Sequence, residues 1–380
     1  MRVAVQRETA DGERRVALVP DVAERLIRAG HEVIVESGAG AGALYGDAAY
    51  EAKGASVVPT AGEAAARAEV LCRVLPPSVE DIARLPGGAA TVSFLQPGQQ
   101  LELVRALVAG NVTAFSLDLL PRISRAQSMD ALSSQSTVSG YRGALLAAER
   151  LHKFFPMFMT AAGTVPPAKV LVMGAGVAGL QAIATARRLG AVVRAYDVRP
   201  AAKDEVKSLG ATFVELPLET QEGAGGYAKE QSEDFLRRQR ELILAEVAAS
   251  DAVITTAAIP GRKAPVLVTT EMVEAMSPGS VVVDLAAESG GNCELSRPGE
   301  DVVHGEVLVI GVKNLTSTMA IHASFLYSRN VAEFVGLLSK DGALAPDFDD
   351  EVVAGSCVTH AGEIRHAPTR ESIEAGAGVS

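Results

Sequence analysis

The stretch KVLVMGAGVAGLQAIATARRLGAVVRAYD, residues 169–197, decides the fold of this chain. A β-branched run leads into glycines at Gly174, Gly176 and Gly179, which are followed by apolar residues at helical spacing and a second β-branched run. This order predicts a strand, a tight turn, a helix and a parallel strand. The first glycine permits the bend, the second lets a pyrophosphate approach the backbone, and the third permits close packing of helix on strand.

An acidic residue ends the second strand and indicates which dinucleotide is bound. Asp197 lies 18 residues beyond Gly179, where a carboxylate can accept hydrogen bonds from the adenosine ribose. Because a carboxylate there repels a 2′-phosphate, we predict NAD(H) in preference to NADP(H). We expect Val198 and Arg199 at the same site, although an arginine nearby can also accommodate that phosphate. A purely structural glycine turn is the alternative, which the flanking strand and helix disfavour.

Other small or apolar residues are expected to complete this pocket. Val177 follows the turn directly. The segment AVITTAAIPG ends a strand in small residues, so Ala257, Ala258 and Ile259 are expected to pass beneath the cofactor without steric bulk. A buried strand end with no ligand remains the other interpretation of this segment.

Strands and helices alternate on both sides of the turn. The pattern predicts an α/β protein of two Rossmann-like domains with parallel sheets, joined by two long helices, with the cofactor cleft between them. We place an N-terminal domain at residues 1–132 and 331–380, including a C-terminal β-hairpin, and the NAD(H)-binding domain with its linking helices at residues 133–330. The stretch FPMFMTAAGTVPP, residues 155–167, is expected at a domain boundary because consecutive prolines do not fit a helix or central strand.

The composition excludes several classes of function. The 380 residues carry a net charge of −11, whereas a nucleic-acid binder or a protein of anionic membrane surfaces needs a basic face. No apolar run approaches the ~18 residues that span a bilayer, so we expect no direct membrane insertion. The three cysteines are far apart and the six histidines form no metal motif, which favours a cytoplasmic protein without a metal site.

Four longer stretches resemble a known family. They are PRISRAQSMDALSSQS, MTAAGTVPPAKVLVMGAGVAGLQAIATARRLGA, AGGYAKE and VVVDLAAESGGN. Over nearly the whole chain the sequence is similar to the NAD(H)-binding domain I, or alpha-1 subunit, of proton-translocating nicotinamide nucleotide transhydrogenases. The chain ends without the hydrophobic helices of fused versions, which favours the form with a separate soluble subunit.

The resemblance implies an activity and a set of partners. The expected reaction is Re/Si-specific hydride transfer from NADH to NADP⁺ on a partner subunit, coupled to proton translocation in the membrane. The expected partners are a second copy of the chain, an NADP(H)-binding beta subunit and a membrane-spanning alpha-2 subunit. The chain would then lie on the inner face of the cell membrane and be active only within this complex.

The resemblance also assigns residues in the polar loop ahead of the long helical pattern. In the family this loop contacts the nicotinamide end of the cofactor, and the matching residues are Arg122, Gln127, Asp130 and Ser133. We expect Gln127 to hold a ribose hydroxyl or the carboxamide, and Arg122 to form a charge-assisted pair with Asp130. In the alternative interpretation Asp130 only caps the following helix and Arg122 is solvated.

The glycine-rich stretch QEGAGGYAKEQSEDF is the last assigned segment. Its glycine density predicts a mobile loop. The resemblance implies a lid over the nucleotide with Gly226 and Tyr227 at its tip, whereas a plain connector would have a similar composition.

Alanine dehydrogenases share this architecture and provide the main alternative function. They need an acid–base pair and a carboxylate clamp. This chain has Arg15 at the clamp position but Arg73 in place of a lysine, Gln96 in place of the histidine and Glu288 in place of the aspartate. Because glutamine cannot shuttle protons, we favour transhydrogenation, which needs no proton donor. An NAD-sensing module without catalysis is a third hypothesis.

Overall fold

The computed structural model of the protein describes residues 1–215, 233–258 and 263–377. The chain divides into two compact units, one formed by Met1–Gln135 with Thr316–Ser380 and the other by Ser136–Leu315. The boundaries predicted from the sequence, 132/133 and 330/331, both fall inside long helices.

The secondary structure alternates in the manner expected from the sequence. In chain order the strands are β1 Arg2–Val5, β2 Glu32–Glu36, β3 Ser56–Val58, β4 Val70–Cys72, β5 Ala90–Ser93, β6 Thr113–Ser116, β7 Phe158–Thr160, β8 Gly163–Val165, β9 Lys169–Met173, β10 Val192–Tyr196, β11 Thr212–Phe213, β12 Ala252–Thr255, β13 Val281–Asp284, β14 Asp301–His304, β15 Val307–Gly311, β16 Ser339–Lys340, β17 Ala343–Leu344, β18 Cys357–His360 and β19 Glu363–Ile364. The α-helices are α1 Pro20–Arg28, α2 Asp47–Glu51, α3 Ala61–Arg67, α4 Val79–Arg84, α5 Leu101–Ala109, α6 Ala131–Arg150, α7 Val177–Arg188, α8 Ala202–Ser208, α9 Glu233–Ala248, α10 Thr270–Glu274, α11 Ala320–Leu337, α12 Glu351–Ser356 and α13 Ala367–Ala377.

The sheet of the first unit has the strand order β19-β18-β6-β5-β4-β1-β2-β3. From β6 to β3 every pairing is parallel, which places the carboxyl ends of these strands at one edge. The C-terminal hairpin β18–β19 continues the sheet in antiparallel orientation beside β6. The predicted hairpin is therefore present and covers what would otherwise be the free edge of β6.

The sheet of the second unit has the order β11-β10-β9-β12-β13-β15-β14. All of its pairings are parallel except that of β14 with β15. Strands β10 and β12 thus lie on opposite sides of β9, the strand that leads into the glycine turn.

Both sheets are buried on their two faces, which is why their strands are so rich in valine. In β1, Val3 and Val5 belong to one core cluster and Ala4 to another, because successive side chains point to opposite faces. In the second unit Val170 and Leu171 divide in the same way. The fold class is confirmed as two α/β units, with the refinement that each sheet has an antiparallel edge.

Two expectations for the region between the strand series are wrong. The stretch 155–167 is not a boundary between the units, because it lies within the second unit and forms the exposed hairpin β7–β8. In the segment of α6 the sequence steps by three and four residues from Val138 to Tyr141 and Leu145, which predicts that these residues form one buried stripe, but Tyr141 is 37% exposed. The buried face instead carries Gly140, Ala144 and Ala147.

Small residues on α6 allow a very close approach to the dinucleotide turn. A Cβ atom at Gly140 would lie 2.0 Å from the carbonyl oxygen of Ala178, in the first turn of α7. A larger residue would therefore push the two helices apart. Helix α6 thus rests directly on the helix that follows the turn.

Candidate dinucleotide site

The glycine turn after β9 has the geometry that its sequence predicts. Gly174 has φ +99°, a left-handed conformation that glycine adopts without strain. A Cβ atom at Gly179 would lie 1.8 Å from the carbonyl oxygen of Gly174, so this position tolerates only glycine. At Gly176 a Cβ atom would meet no described protein atom within 4 Å. The turn is therefore closed on the protein side and open where a phosphate is expected to approach.

Asp197 stands directly after β10 and beside this turn. Its side chain is only 7% exposed, and Oδ2 accepts a hydrogen bond from the backbone N–H of Ala175 at 2.7 Å. Arg199 donates through Nε to Oδ1 and through Nη2 to Oδ2, both at 3.0 Å. Burial acts to raise the pKa of Asp197, but the hydrogen bonds from Arg199 and Ala175 outweigh it and lower that pKa. The carboxylate is therefore ionised and positioned to accept hydroxyl groups.

Three apolar residues that follow the carboxyl ends of β9, β10 and β12 are exposed. Val177 is 42% exposed and Val198 is 74% exposed, both unusually high for valine. Ala258 is also exposed. The structure thus brings these three predicted residues to the surface of the second unit, where a ligand could cover them.

Thr256, which was not predicted as a site residue, forms a hydrogen bond with the glycine turn. The hydroxyl of Thr256 donates to the carbonyl oxygen of Gly174 at 3.0 Å. A Cβ atom on Gly174 would lie 2.6 Å from the same hydroxyl. The segment after β12 is therefore in direct contact with the first glycine. Its signal in the sequence was the pair of threonines in AVITTAA, which marks a polar strand end.

Two family models match the two parts of the chain. The model of the alanine dehydrogenase/PNT N-terminal domain matches residues 4–139, and that of the C-terminal domain matches residues 143–367. The chain belongs to the alanine dehydrogenase/PNT family.

Individual members of this family differ clearly in their similarity to the chain. The first portion of the NAD(P) transhydrogenase alpha subunit of Rhodospirillum rubrum is 48% identical over 96% of this chain and 98% of its own length. The solved structure of a transhydrogenase from Sinorhizobium meliloti superposes with a TM-score of 0.88 at 44% identity, covering 96% of this chain and all of that one. The alanine dehydrogenase of Mycolicibacterium smegmatis is 30% identical over 96% of this chain and 94% of its own length.

The polar loop that the resemblance connects with nicotinamide is a 3₁₀ helix, Ser124–Met129. Within it Gln127 is exposed, as is Arg122 just ahead. Asp130 caps α6, because its carboxylate accepts from the N–H of Ser133 at 2.9 Å and from the Ser133 hydroxyl at 2.5 Å. Among the residues that the structure describes, Arg122 is exposed and forms no ion pair with Asp130, which agrees with the alternative interpretation in which Asp130 caps the helix and Arg122 is solvated.

Two contacts that were not predicted hold this loop in place. Arg125 donates from Nη1 and Nη2 to the carboxylate of Asp350, at 2.7 Å each. Asn330 of α11 donates to the carbonyl oxygen of Ser128 at 2.8 Å. These partners are more than 200 residues away in the chain, so no local pattern could reveal them. Gln127 is therefore presented on an anchored loop.

Gly226 and Tyr227, the predicted tip of the lid, lie outside the described residues. Within the parts of the chain that are described, no helix combines the length and the apolar character needed to cross a bilayer.

The carboxyl edge of the first sheet carries buried charges instead of glycines. Arg15, 7% exposed, donates from Nη2 to Glu13 at 2.6 Å and from Nη1 to Gln135 at 2.9 Å. Arg73, 6% exposed, donates to Glu8 and Asp81 at 3.0 Å each. Both guanidinium groups are therefore already bonded to carboxylates of the protein itself.

Each of the other two positions compared with alanine dehydrogenases forms a hydrogen bond between a backbone N–H and a carboxylate. Gln96 has φ +47° and its N–H donates to Asp118 at 2.7 Å. Glu288 is exposed and accepts from the N–H of Asn314 at 2.9 Å. Glu288 thus joins the loops that follow β13 and β15 within the second unit.

Proposed function

We propose that the chain is the NAD(H)-binding subunit of a proton-translocating transhydrogenase, with the hydride passing from NADH to NADP⁺ on a partner subunit. The observation that carries the proposal is the open glycine turn beside the ionised Asp197. The relatives favour this activity over alanine dehydrogenase, because the transhydrogenase subunit is 48% identical and the alanine dehydrogenase 30%.

The residues of the site suit NAD(H). Asp197 would accept the adenosine ribose hydroxyls, and the N–H groups at the start of α7 would face the pyrophosphate. Arg199 is 59% exposed, so it can move away from Asp197 at small cost when the ribose binds. Val177, Val198 and Ala258 would cover the apolar faces of the dinucleotide.

Hydride exchange between two nicotinamides needs positioning and little else from the protein. NADH loses a hydride and becomes NAD⁺, while NADP⁺ gains it and becomes NADPH, so no proton is transferred. The requirements are that the rings meet and that water is kept away. In our proposal Gln127 and its anchored loop orient the ring on this subunit. Proton translocation would occur in the membrane partner.

The arginines of the first unit support this choice over amino-acid oxidation. An amino-acid dehydrogenase must hold a substrate carboxylate and move a proton. Arg15 and Arg73 are bonded to internal carboxylates, and Gln96 cannot act as a base. We therefore assign Arg15 a structural role.

The surface of the second unit supports a homodimer. Around hairpin β7–β8, Phe154, Met157, Phe158 and Met159 are all more than 40% exposed. Four large apolar side chains so close together are unusual on a monomer surface. We propose that a second copy covers them, and that the dimer binds the beta and alpha-2 subunits at the inner face of the cell membrane.

The deciding experiment mixes the purified chain and NADH with a purified NADP⁺-loaded beta-subunit component. We expect NADPH to form only when both proteins are present. Oxidation of NADH by pyruvate and ammonia without the partner would instead identify an alanine dehydrogenase. NADH binding with neither reaction would identify a sensing module.

A variant separates the role of the polar loop from binding. Gln127→Asn shortens the side chain by one methylene and keeps the carboxamide. We expect it to slow hydride exchange by about tenfold while NADH binds nearly as before, because misplacement by about 1 Å is costly in such reactions. An unchanged rate with partner present would exclude a catalytic role for this loop.

A further inference from the structure

A fully buried asparagine holds the segment that follows β12. Asn292 is 0% exposed, and its Nδ2 donates to the carbonyl oxygens of Ala257 at 2.8 Å and Pro265 at 2.7 Å. Its Oδ1 accepts from the N–H of Ala257 at 3.0 Å. The carboxamide of Asn292 therefore bonds both backbone polar groups of Ala257 and the carbonyl group of Pro265.

The turn that carries Asn292 is fixed by a buried carboxylate. Asp284, the last residue of β13, is 0% exposed. It accepts four hydrogen bonds, from the N–H groups of Ala286, Asn292 and Cys293 and from the hydroxyl of Thr255. Gly290 and Gly291 have φ +108° and +77°, which only glycine adopts readily. The backbone at Asn292 is thus bonded directly to the last residue of β13.

The segment held by Asn292 lies on the opposite side of the phosphate turn from Asp197. Asp197 follows β10, whereas Thr256, Ala257 and Ala258 follow β12, and these two strands flank β9. If Asp197 holds the adenosine half of a dinucleotide, the other half must extend over residues 256–258. The contact of Thr256 with Gly174 joins this segment to the turn.

We infer that Asn292 is a positioning residue for the nicotinamide half of the dinucleotide. It sets the backbone of residues 256–258, and through them the surface presented by Ala258. The inference rests on the proposed NAD(H) site. A carboxamide suits the task because it offers two donors and an acceptor in one plane, whereas a carboxylate offers only acceptors.

The test compares the affinities for NADH and AMP in the full chain carrying Asn292→Asp. The variant places a carboxylate oxygen against the carbonyl groups of Ala257 and Pro265, so the segment must move. Because both hydrogen bonds from Nδ2 are lost and the segment shifts, we expect the Kd for NADH to rise about tenfold, while the Kd for AMP stays within about twofold. Asn111→Asp, at an exposed position in the first unit, is the matched control and should leave both constants unchanged.

The ratio of the two constants separates positioning from general stability. A lower melting temperature with an unchanged ratio would overturn the inference, because a merely structural residue affects both ligands alike. If Asn292→Asp does not fold, Thr256→Val removes the hydroxyl bond to Gly174 at the other end of the same segment and should change the ratio in the same direction. If the wild-type chain binds neither NADH nor AMP, the proposed site itself is wrong.

Discussion

The carboxyl edges of the two parallel sheets are built in opposite ways. In the second unit the part of the edge that follows β9 and β10 carries the glycine turn, the exposed Val177 and Val198, and the carboxylate of Asp197. In the first unit the corresponding edge is filled by Arg15 and Arg73 with their internal carboxylates. Similar βαβ architecture therefore offers a ligand edge only where small residues leave it open.

The ion pairs at the two edges also differ in how far their side chains are exposed to solvent. Arg199 beside Asp197 is 59% exposed, so the pair can open to solvent or to a ligand. Arg15 is 7% exposed and Glu13 is 0% exposed, so separating them would leave an uncompensated buried charge. An arginine–carboxylate pair can therefore separate when a ligand binds at the exposed edge, whereas the buried pair at the other edge stays intact.

Adding a single methyl group at the open edge should have the largest effect. Gly179→Ala places a Cβ atom 1.8 Å from the carbonyl oxygen of Gly174, so either the turn or α7 must move. We expect NADH affinity to fall at least about a hundredfold, measured by fluorescence titration, since the phosphate site is lost. Gly336→Ala in α11 is the control, because a Cβ atom there meets nothing within 4 Å of it. Equal affinities in the two variants would contradict the packing argument.

Breaking the filled edge should affect stability and leave NADH binding unchanged. Arg73→Met leaves Glu8 and Asp81 buried without their cation. We expect the free energy of unfolding to fall by about 3–5 kcal/mol in urea titrations. The Kd for NADH in the folded fraction should stay within about twofold. A large loss of affinity with unchanged stability would show that this edge, too, serves the ligand.

Removing the carboxylate of the open edge should change cofactor selectivity. Asp197→Ala loses the ribose acceptor and the repulsion of a 2′-phosphate, so NADH should bind about tenfold or more weakly and NADPH no worse than before. Competition titrations with both nucleotides measure this. Asp204→Ala, an exposed acid at the start of α8, is the control. Selectivity that survives Asp197→Ala would refute the assignment.

Acid should reveal a difference within the filled edge itself. Burial acts to raise the pKa of Glu13, but hydrogen bonds from Arg15 outweigh it and lower the pKa from 4.5 to about 2. The ionised form thus stabilises the fold above pH 4.5, and this contribution is lost as the pH falls towards 2. Glu13→Gln should therefore make the fall of melting temperature between pH 4.5 and 2 shallower.

Glu8 provides a control of opposite sign. Its burial outweighs the neighbouring Arg73 and raises its pKa, so its contribution to stability grows as the pH falls. Because this change occurs above pH 4.5, Glu8→Gln should alter the pH dependence of the melting temperature only above 4.5, where it should make the fall on acidification steeper, and should leave the range from 4.5 to 2 unchanged. Identical profiles for the two variants would show that the two carboxylates do not differ as described.

The sequence alone determined the elements whose signals are local. β-branched runs bounded by glycine predicted the main strands of both sheets, and the spacing from Gly179 to Asp197 predicted the site, because each signal is contained in a short stretch of chain. For Asp130 the sequence left two interpretations open, a helix cap and an ion pair with Arg122, because both partners were sterically possible, and the structure has the cap.

Only the tertiary structure decided which groups meet across long distances in the chain. It brought Arg125 to Asp350, placed Asn292 against Ala257, and enclosed Arg15 with Glu13 and Gln135. Burial makes these pairings obligatory, since an unpaired charge or amide inside the protein is costly. The identity of each partner depends on how strands and helices pack, which no local pattern encodes. The local sequence thus determined the glycine turn, whereas the packing of strands and helices determined the long-range contacts.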